Sequence, residues 1–194
     1  MPYPTAVLWL VTLSAIAIFV WRMGWRMRPM LAAAADPRHD RPLERLHGVF
    51  EAVGLHRRLL RFRLSGVLHL MIFSGFLVLF TAIIEAFGSG LFPGFSLAAV
   101  GGNSWIALLQ EVFAVGLLAG LGLAVWHRFV MKPARFQGSN QSDALVIYVL
   151  VTTVVTSMLL EFATSIAAGG DPSAAWRPVS GTIASVLLGL GLTG

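Results

Sequence analysis

The sequence predicts an all-α fold: a polytopic transmembrane helical bundle with four full spans, a truncated or interfacial fifth apolar segment, and the N-terminus outside. Three observations carry this. Of 194 residues, 57% are hydrophobic and 12% charged, against roughly 25% charged in soluble globular domains. Four runs, 5–21, 64–87, 104–126 and 144–168, are apolar over close to a span's length, a helix of about 20 apolar residues being needed to cross the hydrocarbon core. The basic residues are unevenly placed. Ten of the fourteen Lys and Arg fall between the first and second runs and three between the third and fourth, leaving only Arg177 after the fourth. By the positive-inside rule, both basic loops are then cytoplasmic. The +5 charge is accordingly a topology signal, and no nucleic-acid partner is expected.

The first run keeps its place as a helix, because its positive residues follow the apolar stretch, whereas a cleaved signal peptide has them in front. In the first basic loop Leu43, Leu46, Phe50 and Val53 recur at helical spacing among Arg41, Glu44, Arg45 and Glu51. That pattern predicts an amphipathic cytoplasmic segment over 41–55, lying on the inner membrane surface or offering a docking face. The last apolar stretch, 180–194, is short for a span. The whole chain, 1–194, reads as a single membrane domain. It has no cysteine, which excludes disulfides, cysteine zinc sites and an iron–sulfur cluster held within these residues.

Chemistry is sought at the polar residues of the spans. His69 lies about 7–8 Å inside the basic end of the second run. Ser65 and Gly66 precede it and Phe73, Phe76 and Phe80 follow on neighbouring turns. Room beside an imidazole, then a column of rings, suits a flat macrocycle with His69 as axial ligand through its iron. The same residues equally suit a neutral histidine bonded to a neighbouring helix amid ordinary packing. His127, at the basic end of the third run, is the alternative ligand, or an interfacial histidine at a helix C-terminus. Glu85 sits near the far end of the second run, and Glu111 and Glu161 lie roughly 10 Å inside the third and fourth. Their matching depth predicts that Glu111 and Glu161 approach each other. Thr153, Ser157, Glu161 and Ser165 form one polar stripe, able to line a proton path or a quinone headgroup site. Alternatively, the hydroxyls bond back to their own helix and the glutamates join helices. Gly116 and Gly120 form a GxxxG match, a sign of close helix packing.

The order "LLRFRLSGVLHLMIFSGFLVLFTAIIEAFG", "LLQEVFAVGLLAGLGLAVWHRFV", "GSNQSDALVIYVLVTTVVTSMLLE" resembles the membrane domain of the respiratory nitrate reductase gamma-subunit-like family. It is closest to the version fused to heterodisulfide-reductase-type iron–sulfur proteins, found in electron-transfer flavoprotein:quinone oxidoreductases. The resemblance runs from about Arg57 to the end. It implies that His69 is an axial ligand of haem b, with Gly66, Phe73 and Phe76 in the haem pocket. Leu79 and Phe80 stand where a second histidine of this helix would fall, so one haem is expected. It further implies that a last helix with the partner histidine, and a cysteine-rich domain, lie beyond residue 194, making this an N-terminal fragment without a complete catalytic centre. The implied function is electron transfer in the plasma (inner) membrane of a prokaryote. Electrons would pass between a cytoplasmic iron–sulfur domain or subunit, haem b and the membrane quinone pool, with an electron-transfer flavoprotein among the partners. Glu85, Glu111, Glu161 and Ser157 are the candidate quinone and proton residues. The alternative class is a non-haem membrane scaffold or transporter subunit with proton-relay carboxylates.

Overall fold

The structure, a computed structural model, describes residues 3–33, 40–54, 60–61, 63–134, 138 and 140–192. Among these there is no strand, and four helices are long and apolar enough to cross a membrane.

Helix α1 (Tyr3–Ala32) outlasts its apolar run by eleven residues. Arg22, Arg26 and Arg28 end the stretch that suits lipid but not the helix, since arginine is a good helix former. Pro29 falls in the final turn, where it removes one intrahelical hydrogen bond, to the carbonyl of Trp25. No residue described in α1 is buried. It touches the bundle near its start, where the Trp9 indole donates to Leu91 O at 3.1 Å and packs edge-on against Phe92 at 5.3 Å.

Helix α2 (Pro42–Val49) continues through a π-helical turn at Phe50–Gly54. Proline at its first position is pre-set for helix. Its apolar face meets no protein: Leu46 is 66% exposed and Phe50 60%. Of the segment expected over 41–55, the described residues 42–54 are helical and residue 55 lies outside them.

The bundle is built around α4 (Trp105–Val125), whose helix widens into a π turn at Trp126–Val130. Ala107, Gln110, Glu111, Ala114, Leu117 and Leu121 recur every three or four residues and are all buried. Against it lies α3 (Arg63–Leu91). The two backbones approach closely because each offers a glycine. A Cβ on Gly75 would stand 2.8 Å from that of Leu117, and one on Gly120 would stand 3.2 Å from that of Met71. Small residues let helices approach in this way where the solvent supplies no hydrophobic drive. Of the GxxxG pair only Gly120 serves; Gly116 faces open space.

Helix α5 (Gln141–Ala167) is capped by the Asn140 side chain, which accepts from Ser142 N at 3.0 Å. The fifth apolar segment forms α6 (Pro178–Gly189), two residues ahead of its expected start. Leu79, Ala114, Leu117, Val155 and Leu159 form a core joining α3, α4 and α5, and Ile183 of α6 packs on it. The basic ends of α3, α4 and α5 share one end of the bundle: the Ser65 hydroxyl is 3.4 Å from the His127 ring, Arg128 donates to Asn140 O at 3.1 Å, and Phe129 meets Tyr148 edge-on at 6.4 Å.

Candidate functional site

At the opposite end a cavity of about 710 Å³ opens between α3 and α5. Glu85 lines it from α3; Ser157, Glu161 and Ser165 line it from α5; Asp171, Ser173 and Arg177 close it from the loop before α6. Three of the four expected quinone and proton residues thus share one wall set. The fourth, Glu111, does not.

Glu111 is fully buried and accepts from Val179 N at 2.8 Å, from Ser180 N at 2.9 Å and from the Ser180 hydroxyl. A helix leaves its first N–H groups without intrahelical partners. A carboxylate from another helix here satisfies the second and third of α6, with the favourable end of the helix dipole beneath it. The expected approach of Glu111 to Glu161 is replaced by this clasp. Glu161 makes no side-chain hydrogen bond or ion pair among the described residues and lines the cavity. Equal depth along two helices sets height and leaves the direction around each axis open, and α6 took the direction Glu111 faces.

Arg177 is the centre that sequence reading passed over. It is 5% exposed and lies over the Phe162 ring at 3.5 Å. Its Nε donates to the Ser173 hydroxyl at 2.7 Å and its Nη2 to Gln110 Oε1 at 2.9 Å; Gln110 Nε2 donates in turn to the Thr81 hydroxyl at 2.9 Å. Carboxylates stand at 3.5 Å (Asp171) and 3.9 Å (Glu111). Burial pulls the guanidinium below its usual range, and Asp171, Glu111 and Glu85 act against that pull. A charge this buried persists only with such partners. One signal was available: a lone arginine in an otherwise unbasic segment, six residues after Asp171. Glu85 is also engaged, Oε1 accepting from the Ser96 hydroxyl at 3.3 Å and Leu97 N at 3.4 Å.

The polar stripe of α5 divides. The Thr153 hydroxyl bonds back to Val149 O at 2.9 Å, the self-satisfied arrangement. Ser157 and Ser165 line the cavity.

His69 and His127 lie at the basic end. His69 is exposed on the flank of α3, its ring stacked near that of Phe73 at 6.3 Å and 11°. Phe76 and Phe80 continue outward at 6.2 Å from each other, whereas Gly66 is buried. The column of rings is present along α3. His127 sits one helical turn from His69 in height, Nε2 at 3.4 Å from the Ser65 hydroxyl and Nδ1 at 3.4 Å from Met131 Sδ. Among the described residues no three His, Cys, Asp or Glu converge as metal ligands. The donors present fit a haem held by one axial imidazole from this chain. His39 and His56 lie outside the described residues.

No protein-family profile and no solved structure matches the chain. It is similar to "Probable iron-sulfur-binding oxidoreductase FadF" of Bacillus subtilis (strain 168), 26% identical over 188 residues, which covers 95% of this chain and 26% of that protein. It is also similar to "EtfAB:quinone oxidoreductase" of Syntrophomonas wolfei subsp. wolfei (strain DSM 2245B / Goettingen), 27% identical over 158 residues, covering 79% and 22%. The chain spans about a quarter of the length of these relatives. The likeness supports a relationship to oxidoreductases with iron–sulfur and quinone links.

Proposed function

We propose that this chain is the membrane electron-transfer domain of a respiratory quinone-linked oxidoreductase. It works between a cytoplasmic iron–sulfur partner or domain, haem b and a quinone of the bilayer. The observation that carries the reading is the cavity between α3 and α5, which sets carboxylates and hydroxyls against an apolar wall at the end of the bundle away from His69. Ligand sites are typically concave and mostly apolar with a few placed polar groups, and a quinone is an apolar molecule with two carbonyl oxygens to hold. The relative named for EtfAB and quinone supports the same substrate. The chain has no cysteine, so the clusters of such an enzyme belong to a partner or another region.

His69 is the ligand this chain offers to haem b, which when bound would supply one-electron transfer. The imidazole would ligate the iron through one ring nitrogen, leaving the other for a partner that fixes its orientation. Phe73 and Phe76 flank the ring with apolar surface. In full-length protein the reduced spectrum should show a low-spin haem that His69→Ala abolishes or converts to high spin. Loss of that signal in His127→Ala but not in His69→Ala would transfer the role to His127. A colourless preparation from cells supplied with haem would favour the scaffold class.

A further inference from the structure

Three carboxylates on the span-length helices were candidates for moving protons, and their surroundings differ. Glu111 is saturated: two backbone N–H groups and a hydroxyl point at it, with Arg177 at 3.9 Å. Its site has no exposure. Glu85 holds Ser96 and Leu97 of the following loop. Glu161 lines the cavity with no hydrogen-bond partner among the described residues, one turn from Ser157 on one side and Ser165 on the other. The charges on Arg177 that oppose its burial come from Asp171, Glu111 and Glu85, not from Glu161. Among the described residues, Glu161 is thus the cavity carboxylate to which no cation or hydrogen-bond donor is joined, and its side chain is exposed.

We propose that Glu161 is the proton-exchanging carboxyl of the cavity, and that Glu85 and Glu111 hold its walls. This rests on the quinone reading above. Reduction of a quinone to a quinol takes two electrons and two protons, each carbonyl oxygen becoming a hydroxyl. The electrons come from the reduced donor side of the enzyme. For each proton, the O–H bond of the Glu161 carboxyl breaks as an O–H bond forms on the quinone oxygen. The carboxylate left behind takes a proton back from water at the Gly170–Asp171 rim, where the cavity meets the loop. Quinol oxidation runs the same steps in reverse. Titratable or charged neighbours on the cavity walls are Glu85 from α3 and Asp171 and Arg177 from the loop. Ser157 and Ser165 flank the route with hydroxyls that can both donate and accept.

The test uses full-length protein in liposomes and a photoreactive azidonaphthoquinone. Wild type should crosslink at cavity residues, and reduction of the bound quinone should change the infrared band of a protonated carboxyl. Glu161→Gln should keep the crosslink, lose that band change and slow quinone-dependent reoxidation about 100-fold, the lower range for losing a positioned acid–base group. Glu161→Asp should recover part of the rate. Retained band change with a wild-type rate in Glu161→Gln overturns the proposal, as does loss of the crosslink, which would make Glu161 a binding group. Absence of a cavity crosslink in wild type overturns the quinone reading itself.

Discussion

Glu111 shows how much one side chain can hold in a bundle of this kind. Its removal strands two N–H groups of α6 and takes a carboxylate from the buried guanidinium of Arg177. Breaking a buried pair by deleting one partner costs about 3–5 kcal/mol. Glu111→Ala should therefore lower the thermal midpoint in detergent sharply, and Glu111→Gln, which keeps a carbonyl to accept, should cost less. An unchanged midpoint for Glu111→Ala would mean that the clasp adds nothing. At this scale the sequence was half legible. Glu85, Ser157 and Glu161 were recognisable because a polar residue in an apolar run stands out, and they do share a cavity. The partner of Glu111 was hidden, because it lies in a loop sixty-six residues on, where Arg177 looked like a stray charge. Gln110 and Asp171 were hidden for the same reason: their role exists only through Arg177.

Among the elements, the spans were the most legible part, since length and apolarity alone decide them. Their ends were less so. Insertion energy stops where arginines begin, whereas helix propensity does not, so α1 runs on to Ala32. Helix contact was legible only in outline. The sequence offered a GxxxG pair on α4, and packing uses Gly120 of it together with Gly75 of α3. That difference is measurable. Gly75→Ala forces a methyl to within 2.8 Å of the Leu117 Cβ, an overpacking that typically costs about 1–3 kcal/mol. Gly116→Ala meets nothing within 4 Å and should be neutral or stabilising by up to about 1 kcal/mol, the gain in helix propensity. Equal effects of the two in a denaturation series would contradict the α3–α4 packing.

For the molecule as a whole, the separation of its two polar regions matters most. His69 and His127 lie with the basic ends, and the cavity lies at the other end, with Glu85 sixteen residues up α3 from His69. At about 1.5 Å per residue that is on the order of 24 Å, most of a bilayer core. The charge asymmetry that predicts the cavity end outside is tested by single cysteines. Ser89→Cys at the cavity end should react with an impermeant reagent on intact cells, and Lys132→Cys at the basic end should react only after lysis. The opposite pattern would invert the orientation and put the quinone end at the cytoplasm. The two-ended plan was readable from the sequence because charge and depth both vary along the chain. The cavity was not, because it needs α5 and the Arg177 loop brought beside α3, and pairing in space leaves no mark in a single run of residues.

The clasp between Glu111 and residues 179–180 also bears on how the chain could be divided. It joins the part before Lys132 to the part after it, and the core adds Leu117 against Leu159 across the same seam. A protease site inserted after Lys132, an exposed position, should yield two pieces that co-purify in detergent as a complemented pair. In Glu111→Ala the same cut should let the carboxyl-terminal piece drift away, so that covalent continuity there becomes dispensable only while one carboxylate holds the late helix in place.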